Sequence, residues 1–595
     1  MEPNVSTADK DKRAPQQKPV TPRSLAVNAS VAVAIVASTI YLLRTNPTAV
    51  RWDQVYDPTG RWWLSTAVAA IPVVLLLGAM AVFRIAAHIA AALGLLAALV
   101  AAIAVFHMPV RMALTTTAYG AGYGIFPICW IILPVIFLYQ LTVKTGRFEA
   151  LEKTLTPITN DSRLQLLLIA FALGAFFEGT AGFGTPVAVC GALLISLGFR
   201  PIDAAGLALI ANTAPVAFGA LGIPIVALHG VTGLGLPLLS RTVATILVPF
   251  CIAVPFWLIW VYAGFRRMLE VWPAILVAGV TFSAVQYVMG AYVGPTLVDI
   301  VAATLTIVAL VVFLRFWKPK HVLNPARKEI TGVNPERTAH NARAIVKAWF
   351  PWLILSVVVF AWGIPQFSGW MNAATSINLP VAGLHNLVER MPPVAPRPAP
   401  EGAIFNLNWL SATGTGILFA SLLAGLAMGL RPLTLAWEFV KTTYSVRFAI
   451  ATIAAMLALG FVMRYSGLDA TLGLAFARSG ALYPFFGSLI GWLGTAMTGS
   501  DTASNVLFGS LQQVTAHQIG VSPTLMASAN SAGGVMGKMI AAPSIVVAST
   551  VTETYGQEGT ILRYVLHHSL AMAALVGVVV YLMAYVHPFT ALVMR

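Results

Sequence analysis

The sequence E-G-T-A-G-F-G-T at Glu178–Thr185 interrupts an otherwise apolar segment of the chain. Apolar runs at Arg163–Phe177 and Pro186–Phe199 stand on either side of it. As helices of 1.5 Å per residue they reach only ~20–22 Å, which is short of the ~30 Å hydrocarbon core of a bilayer. Both outer ends carry an arginine, which favours the cytoplasmic side for both. The sequence therefore predicts a re-entrant helical hairpin with a polar tip.

A second stretch, T-G-S-D-T-A-S-N at Thr498–Asn505, repeats this plan. Each predicted hairpin is followed by a span that a polar motif breaks, A-N-T-A-P at Ala211–Pro215 and A-N-S-A-G-G at Ala529–Gly534. The order of features is the same near 117–263 and 447–586, which indicates an internal repeat. The two hairpins open toward opposite sides, so the repeats are inverted. Paired interrupted segments in two halves are typical of a transport site at the bilayer midplane, although glycines can also serve close helix packing.

Composition agrees with a membrane protein. Of 595 residues, 58% are hydrophobic and 10% charged, whereas soluble domains have roughly 25% charged residues. The basic residues responsible for the net charge of +15 stand in loops between apolar runs. This placement indicates the orientation of the chain in the membrane rather than a nucleic-acid partner. The basic loop 316–347 is predicted to be cytoplasmic, the proline-rich loop 364–408 to be outside, and the N-terminus to be cytoplasmic. Three cysteines in apolar runs imply no disulfide framework.

The predicted fold is an all-α polytopic membrane protein with about 13 transmembrane helices, including two broken spans, plus two oppositely oriented re-entrant hairpins. The first apolar run, 25–43, is long enough to be a span. The predicted regions are a polar cytoplasmic N-terminus 1–23, N-terminal helices 24–116, a first inverted repeat 117–263, central helices 264–446, and a second inverted repeat 447–595.

Three ionisable residues stand in the interrupted segments: Glu178, Asp501 and Lys538. A charge at bilayer depth is costly, so such residues are functional candidates. Glu178 is predicted to carry a proton and Asp501 is the second candidate, although Asp501 could instead cap the return helix. Lys538 could neutralise a substrate carboxylate, pair with one of the acids, or snorkel to the cytoplasmic side. Asp299 lies near the outer end of its span and is interpreted as an interfacial anchor.

Helices broken at membrane depth expose free N–H groups that suit a carboxylate, and their free C=O groups suit a cation. We expect such helix N-termini near Asn212–Thr213 and Asn530–Ser531, and at the return helices after Thr185 and Ser504. The architecture therefore fits an organic anion, a coupling cation or both. The predicted binding residues lie in the tips and breaks: Gly179, Thr180, Gly182, Gly184, Thr185, Asn212, Thr213, Ser500, Thr502, Ser504, Asn505, Asn530, Ser531 and Lys538.

Two motifs are similar to known binding sequences but do not indicate a nucleotide-binding protein or a potassium channel. G-G-V-M-G-K-M at Gly533–Met539 differs from a phosphate-binding loop in its glycine spacing, and no hydroxyl residue follows the lysine. T-A-G-F-G at Thr180–Gly184 is similar to a potassium-channel filter, but the second tip does not reproduce it. We expect no enzyme activity, no cofactor and no metal site.

The sequence resembles the lactate permease family. The resemblance is carried by G-A-F-F-E-G-T-A-G-F-G-T-P-V-A-V at Gly174–Val189, A-N-T-A-P-V-A-F-G-A at Ala211–Ala220, G-S-D-T-A-S-N-V-L-F-G at Gly499–Gly509, and G-G-V-M-G-K-M-I at Gly533–Ile540. It implies a multi-pass carrier of the bacterial inner membrane that takes up L-lactate, with D-lactate and glycolate, together with protons. The family's plan is similar to that of carriers with paired hairpins, which implies elevator-type movement and favours a homodimer.

The chain departs from the family pattern at Thr180, where the family usually has alanine, and at Ala541-Ala542-Pro543-Ser544, where it usually reads S-P-Q-S. Thr180 and Ala541 lie close to the predicted site, so they bear on substrate range. Two other functions stay open at this point. A sodium-coupled carboxylate carrier would depend on sodium, and an anion channel would not show saturable counterflow.

Overall fold

A computed structural model gives the three-dimensional structure of the chain. The predicted N-terminus 1–23 and the predicted span 25–43 lie outside the described residues. The structure describes residues 51–593 apart from the following positions: 82, 84, 149, 151–157, 181, 183, 326–328, 331–341, 396, 555 and 556.

Helices dominate the described chain from its first apolar segment onward. The first three are α1 Trp62–Ala81, α2 Ala87–Val105 and α3 Val110–Lys144. Helix α3 contains a π-helical segment at Gly124–Cys129. It includes Pro127, which has no N–H to donate to the regular helix.

The segment predicted as the first repeat, 117–263, is called the first repeat below; it begins within α3 and contains two helices that pack against each other as a hairpin. The helices after α3 are α4 Ser162–Thr180, α5 Thr185–Ser196, α6 Pro201–Ala211, α7 Gly219–Thr232 and α8 Leu236–Ala263. Helix α6 ends at Ala211 because Pro215 has no N–H to donate to the Ala211 carbonyl. The axis bends by 64° between α6 and the helical segment that begins at Val216. The predicted break at Ala211–Pro215 is confirmed.

The central region contains long helices and short connecting elements. They are a short helix Phe265–Leu269, then α9 Trp272–Val293, α10 Val298–Phe316, α11 Ala342–Gly363, α12 Pro365–Thr375, α13 Thr413–Ala427 and α14 Pro432–Ser445.

The segment predicted as the second repeat, 447–595, is called the second repeat below. Its members are α15 Arg447–Ser466, α16 Leu468–Ala477, α17 Tyr483–Thr498, α18 Asp501–Ile519, α19 Pro523–Gly537, α20 Ala542–Val551 and α21 Glu558–Tyr585. Helices α17 and α18 pack against each other as the second hairpin. Both repeats end in a helix of 28 residues, α8 and α21.

The break predicted at Ala529–Gly534 is wrong in position. Helix α19 continues through this motif to Gly537, and the irregular backbone lies at Lys538–Ala541. The first repeat has Pro215 four residues after its motif begins, but the second has Gly533, which can donate a helical hydrogen bond. The interruption in the second repeat therefore comes just before Pro543.

Seven short strands occur in the described residues, mostly in the predicted outside loop 364–408. They are β1 Trp52–Asp53, β2 Val322–Leu323, β3 Glu329–Ile330, β4 Ile377–Pro380, β5 Val388–Arg390, β6 Ala399–Pro400 and β7 Ile404–Leu407. Strands β1, β5 and β6 form one sheet, and β4 pairs with β7. We call residues 377–407 together with β1 the β-cap.

The described residues include ten helices that are long and apolar enough to cross a membrane, or up to 12 if each bent pair is one span. The expectation of an all-α polytopic membrane protein is confirmed at this level. Helix α15 packs on α2 and α3, whereas α17, α18 and α19 pack on one another.

Candidate functional site

A cavity of about 270 Å³ lies between the two hairpin tips. The first repeat lines it with residues of the α4–α5 tip and with Gly219, Ala220 and Ile223 of α7. The second repeat lines it with Thr498–Ala503 at the α17–α18 tip and with Lys538. Helix α15 closes another side, with Thr452 and neighbouring apolar residues. The two halves of the sequence therefore form one site.

The acid of the first tip, Glu178, lines this cavity and is 4% exposed. Asn212 Nδ2, from the break after α6, donates a hydrogen bond of 3.1 Å to Glu178 Oε2. The carboxyl group lies directly against Gly219, where a Cβ atom would come within 2.7 Å of Glu178 Oε1. The break of the first repeat thus supplies both a donor and the space for this acid.

The acid of the second tip, Asp501, is held in the same way from α19. It is 3% exposed, and Ser531 Oγ donates to Asp501 Oδ2 at 2.7 Å. Longer hydrogen bonds of 3.4 Å come from Thr495 and Asn505. A Cβ atom at Gly534 would overlap Asp501 Oδ1. In each repeat, a residue of the A-N-T or A-N-S motif holds the tip acid, and a glycine makes room for it.

Helix α18 is capped by Ser500 and not by Asp501. Ser500 Oγ accepts a hydrogen bond of 3.3 Å from the backbone N–H of Ala503. Asp501 stands in the first turn, where its side chain turns to Ser531. The alternative that Asp501 caps the return helix is therefore wrong, which leaves its carboxyl group on the cavity.

The basic residue of the site, Lys538, is 8% exposed and lines the cavity. Its Nζ donates to the carbonyl oxygen of Gly499 at 2.7 Å. Its charge also interacts with the carboxyl groups of both Glu178 and Asp501. The snorkelling alternative is wrong, because the ammonium group lies inside the protein beside the second tip. One cation therefore serves the acids of both repeats.

The other predicted residues divide into two groups. Gly182, Gly184, Ser500 and Thr502 line the cavity. The remainder are not among the lining residues: Gly179, Thr180, Thr185, Asn212, Thr213, Ser504, Asn505, Asn530 and Ser531.

Several of these residues form a buried amide network. Asn530 Nδ2 donates to Asn505 Oδ1 at 3.0 Å, and Asn505 Nδ2 donates to the Pro224 carbonyl oxygen at 3.2 Å. Pro224 belongs to α7 of the first repeat, so the network connects the repeats. Thr180 is buried, and its hydroxyl donates to the Phe177 carbonyl at 3.3 Å. Its departure from the family pattern therefore lies behind the tip rather than on the cavity wall.

Three helix N-termini meet at the cavity. Gly184, directly before α5, lines it, as do Ser500 before α18 and Pro543 in the first turn of α20. The free N–H groups of a helix start attract negative charge. The N-termini expected at Asn212–Thr213 and Asn530–Ser531 are not found, because Asn212 ends α6 and Asn530 lies within α19.

Some residues of the site were not predicted. Gly219, Ala220 and Ser544 line the cavity, and so do residues of α15. Ala220 and Leu221 have positive φ values of 45° and 60°, so the chain makes a left-handed turn at the cavity before α7 continues. No local sequence pattern marks this turn at two non-glycine residues. Ser544 directly follows Pro543, and a proline that marks a helix start could have indicated that Ser544 lies near the site.

A multi-pass bundle whose mostly apolar cavity holds ionisable side chains between two helical hairpins is typical of a membrane transport protein. The family model described as L-lactate permease matches residues 65–587, and the chain belongs to this family. It is 43% identical to the glycolate permease GlcA of Escherichia coli, over 90% of this chain and 99% of that protein. It is 41% identical to the L-lactate permease of Escherichia coli and 40% to that of Bacillus subtilis, each over 90% of this chain and at least 98% of the relative.

Solved structures of other transporters are similar over much of the chain at low identity. One is the YdaH transporter of Alcanivorax borkumensis, with 14% identity and a TM-score of 0.41 over 79% of this chain and 87% of that one. Another is the efflux pump MtrF of Neisseria gonorrhoeae, with 14% identity and a TM-score of 0.42 over 80% of this chain and 84% of that one.

Proposed function

We propose that this protein takes up L-lactate, and also D-lactate and glycolate, across the bacterial inner membrane together with protons. The observation that carries the proposal is that the ammonium group of Lys538 shares the cavity with the carboxyl groups of Glu178 and Asp501 and interacts electrostatically with both. The printed names of the relatives, L-lactate and glycolate permeases, support the substrate class.

The charges of the site give a reason for proton coupling. With both acids ionised, the three groups sum to a negative charge that repels an organic anion. One bound proton makes the site neutral, and two make it positive. Helix N-termini at Gly184, Ser500 and Pro543 add partial positive charge. Binding of a proton and binding of a carboxylate therefore favour each other, which is the condition for cotransport.

Transport requires that the site face each side in turn. We propose re-entrant hairpins that move with their broken helices as an elevator against α2, α3 and α15. Gly460 of α15 lies against Val506 of α18, where a Cβ atom at Gly460 would come within 2.7 Å of Val506 Cγ1. A disulfide between cysteines placed at these two positions should stop uptake, and reduction should restore it. Full uptake by the cross-linked protein would contradict this movement.

The test of the function is uptake of labelled L-lactate into proteoliposomes under an inward proton gradient, with and without sodium and a protonophore. We expect accumulation that needs no sodium and collapses with the protonophore. A requirement for sodium would favour a sodium-coupled carboxylate carrier, and absence of saturable counterflow would favour a channel.

The Glu178→Gln variant tests the proton carrier. It should lose gradient-driven uptake while exchange of lactate between two sides continues, because the proton site is gone but the cavity keeps its shape. Glu389→Gln, in the β-cap, is the matched control and should behave as the wild type. Wild-type pH dependence in Glu178→Gln would contradict the assignment.

A further inference from the structure

A third buried acid, Asp299, lies directly behind the first tip. It belongs to the first turn of α10, which packs on α4. A Cβ atom at Gly179, the residue after Glu178, would come within 2.7 Å of Asp299 Cβ. The carboxyl groups of Asp299 and Glu178 are close enough to interact electrostatically. Asp299 is thus not the interfacial anchor that its place near a span end suggested.

The surroundings of Asp299 offer it no compensation for a charge. Its side chain is 1% exposed, and neither carboxyl oxygen has a hydrogen-bond partner among the described residues. Of the described titratable groups, those that face it are the carboxyl of Glu178, from α4, and the thiol of Cys251, from α8. Neither brings a positive charge. An ionised carboxylate without a partner is very costly in such a place, so the group takes up a proton instead.

A polar cluster continues behind Asp299. The Cys251 thiol donates to Gln286 Oε1 at 2.6 Å, and Gln286 Nε2 has no partner in the described part of the chain. Glu178 borders the cavity, whereas Asp299 does not. Of the two interacting acids, Glu178 is therefore the one in contact with the cavity.

We propose that Asp299 is a second proton-binding group of this carrier, which exchanges its proton with the cavity through Glu178. In the present conformation Asp299 holds the proton. When substrate binding or movement of the tip alters Glu178, the O–H bond of one carboxyl breaks and that of the other forms, so the pair keeps the proton as one unit. The role in transport rests on the proposed proton coupling, but the protonation of Asp299 does not.

The direct test is the infrared band of protonated carboxyl groups in the purified protein at neutral pH. The band should lose one carboxyl in Asp299→Asn and stay unchanged in Asp53→Asn, which removes an exposed carboxylate of the β-cap. Asp299→Ser, which is smaller, should show the same loss and serves where the asparagine variant does not fold. An unchanged band in these Asp299 variants would overturn the proposal.

The second test is proton-driven uptake in the same variants. Asp299→Asn should lose accumulation driven by the proton gradient and keep lactate counterflow. If the wild type shows no gradient-driven uptake, proton coupling itself fails, whatever the band shows. If the wild type accumulates lactate and Asp299→Asn does so with the same pH dependence, the role of Asp299 in coupling is refuted.

Discussion

At the scale of single residues, a side-chain donor holds the buried acid of each hairpin tip. Each tip places an acid on the cavity, and a residue from the following A-N-T or A-N-S motif donates to it: Asn212 to Glu178 and Ser531 to Asp501. The donors differ, since the asparagine acts in the first repeat and the serine in the second. Asn530 instead binds Asn505. The geometry therefore assigns different roles to equivalent sequence positions.

The bond from Ser531 to Asp501 gives a prediction with a close control. Ser531→Ala removes the shortest side-chain hydrogen bond to this carboxyl, a change worth about 1.5–3 kcal/mol for a charged acceptor. Because this donor favours the ionised carboxyl, its loss should favour the protonated one, and we expect the pH dependence of lactate uptake to shift toward higher pH. Ser528→Ala on the same helix should have almost no effect, because Ser528 Oγ has no partner among the described residues. Equal effects of the two variants would contradict the assignment.

Among the described residues that line the cavity, Lys538 is the positively charged one, and its removal should harm anion binding most. Lys538→Gln should abolish saturable uptake, because both the charge opposite the acids and the donor to Gly499 change. Lys441→Gln, at an exposed position of α14, is the matched control. Retained affinity for lactate in Lys538→Gln would show that the helix N-termini suffice for binding.

At the scale of elements, glycines decide how closely the helices pack. Gly533 of α19 lies against the Ser488 carbonyl of α17, with no space for a Cβ atom. The break expected at Ala529–Gly534 is instead a contact between α19 and α17, because glycine permits close approach of two helices as well as a bend in one. Only the proline of the first repeat forces its helix to end.

This contact gives a prediction about stability. Gly533→Ala should push α17 away from α19 and lower the unfolding free energy in detergent by about 1–3 kcal/mol. Gly559→Ala, in α21, provides the control, because no atom lies within 4 Å of a Cβ at that position. Thermal unfolding followed by circular dichroism would measure both. Similar melting temperatures for the two variants would argue against close packing at Gly533.

At the scale of the whole molecule, the β-cap connects distant parts of the chain. Glu401 of the cap is bound by Arg464 Nε of α15 at 2.8 Å and by Arg390 Nε at 2.6 Å. Gln518 at the end of α18 donates to the Pro393 carbonyl of the cap at 2.7 Å. The cap therefore contacts both α15 and the second hairpin.

These contacts make the stability of the cap depend on pH. Burial alone would raise the pKa of Glu401, but the charges of Arg464 and Arg390 outweigh it and leave the pKa below its ordinary value. Since the pKa is lower in the folded cap than in the unfolded chain, ionised Glu401 stabilises the cap at neutral pH. This contribution is lost as the pH falls below about 4, through the folded pKa.

Hydrogen exchange of residues 388–407 across this pH range would test the prediction. We expect protection to fall in acid in the wild type. Glu401→Gln should be less protected at neutral pH and should change less with pH. An acid-independent wild type would mean that the ion pairs contribute little to the cap.

The sequence by itself determined that the chain is a membrane protein whose apolar segments are interrupted by polar motifs, because apolar length and polar motifs are local properties. It also singled out Glu178, Asp501 and Lys538, since charges in such segments are rare. Only the tertiary structure decided which donor holds each acid, where the second span breaks, and that Asp299 lies behind the first tip. These features depend on contacts between residues far apart in the chain, and no local pattern encodes such distances.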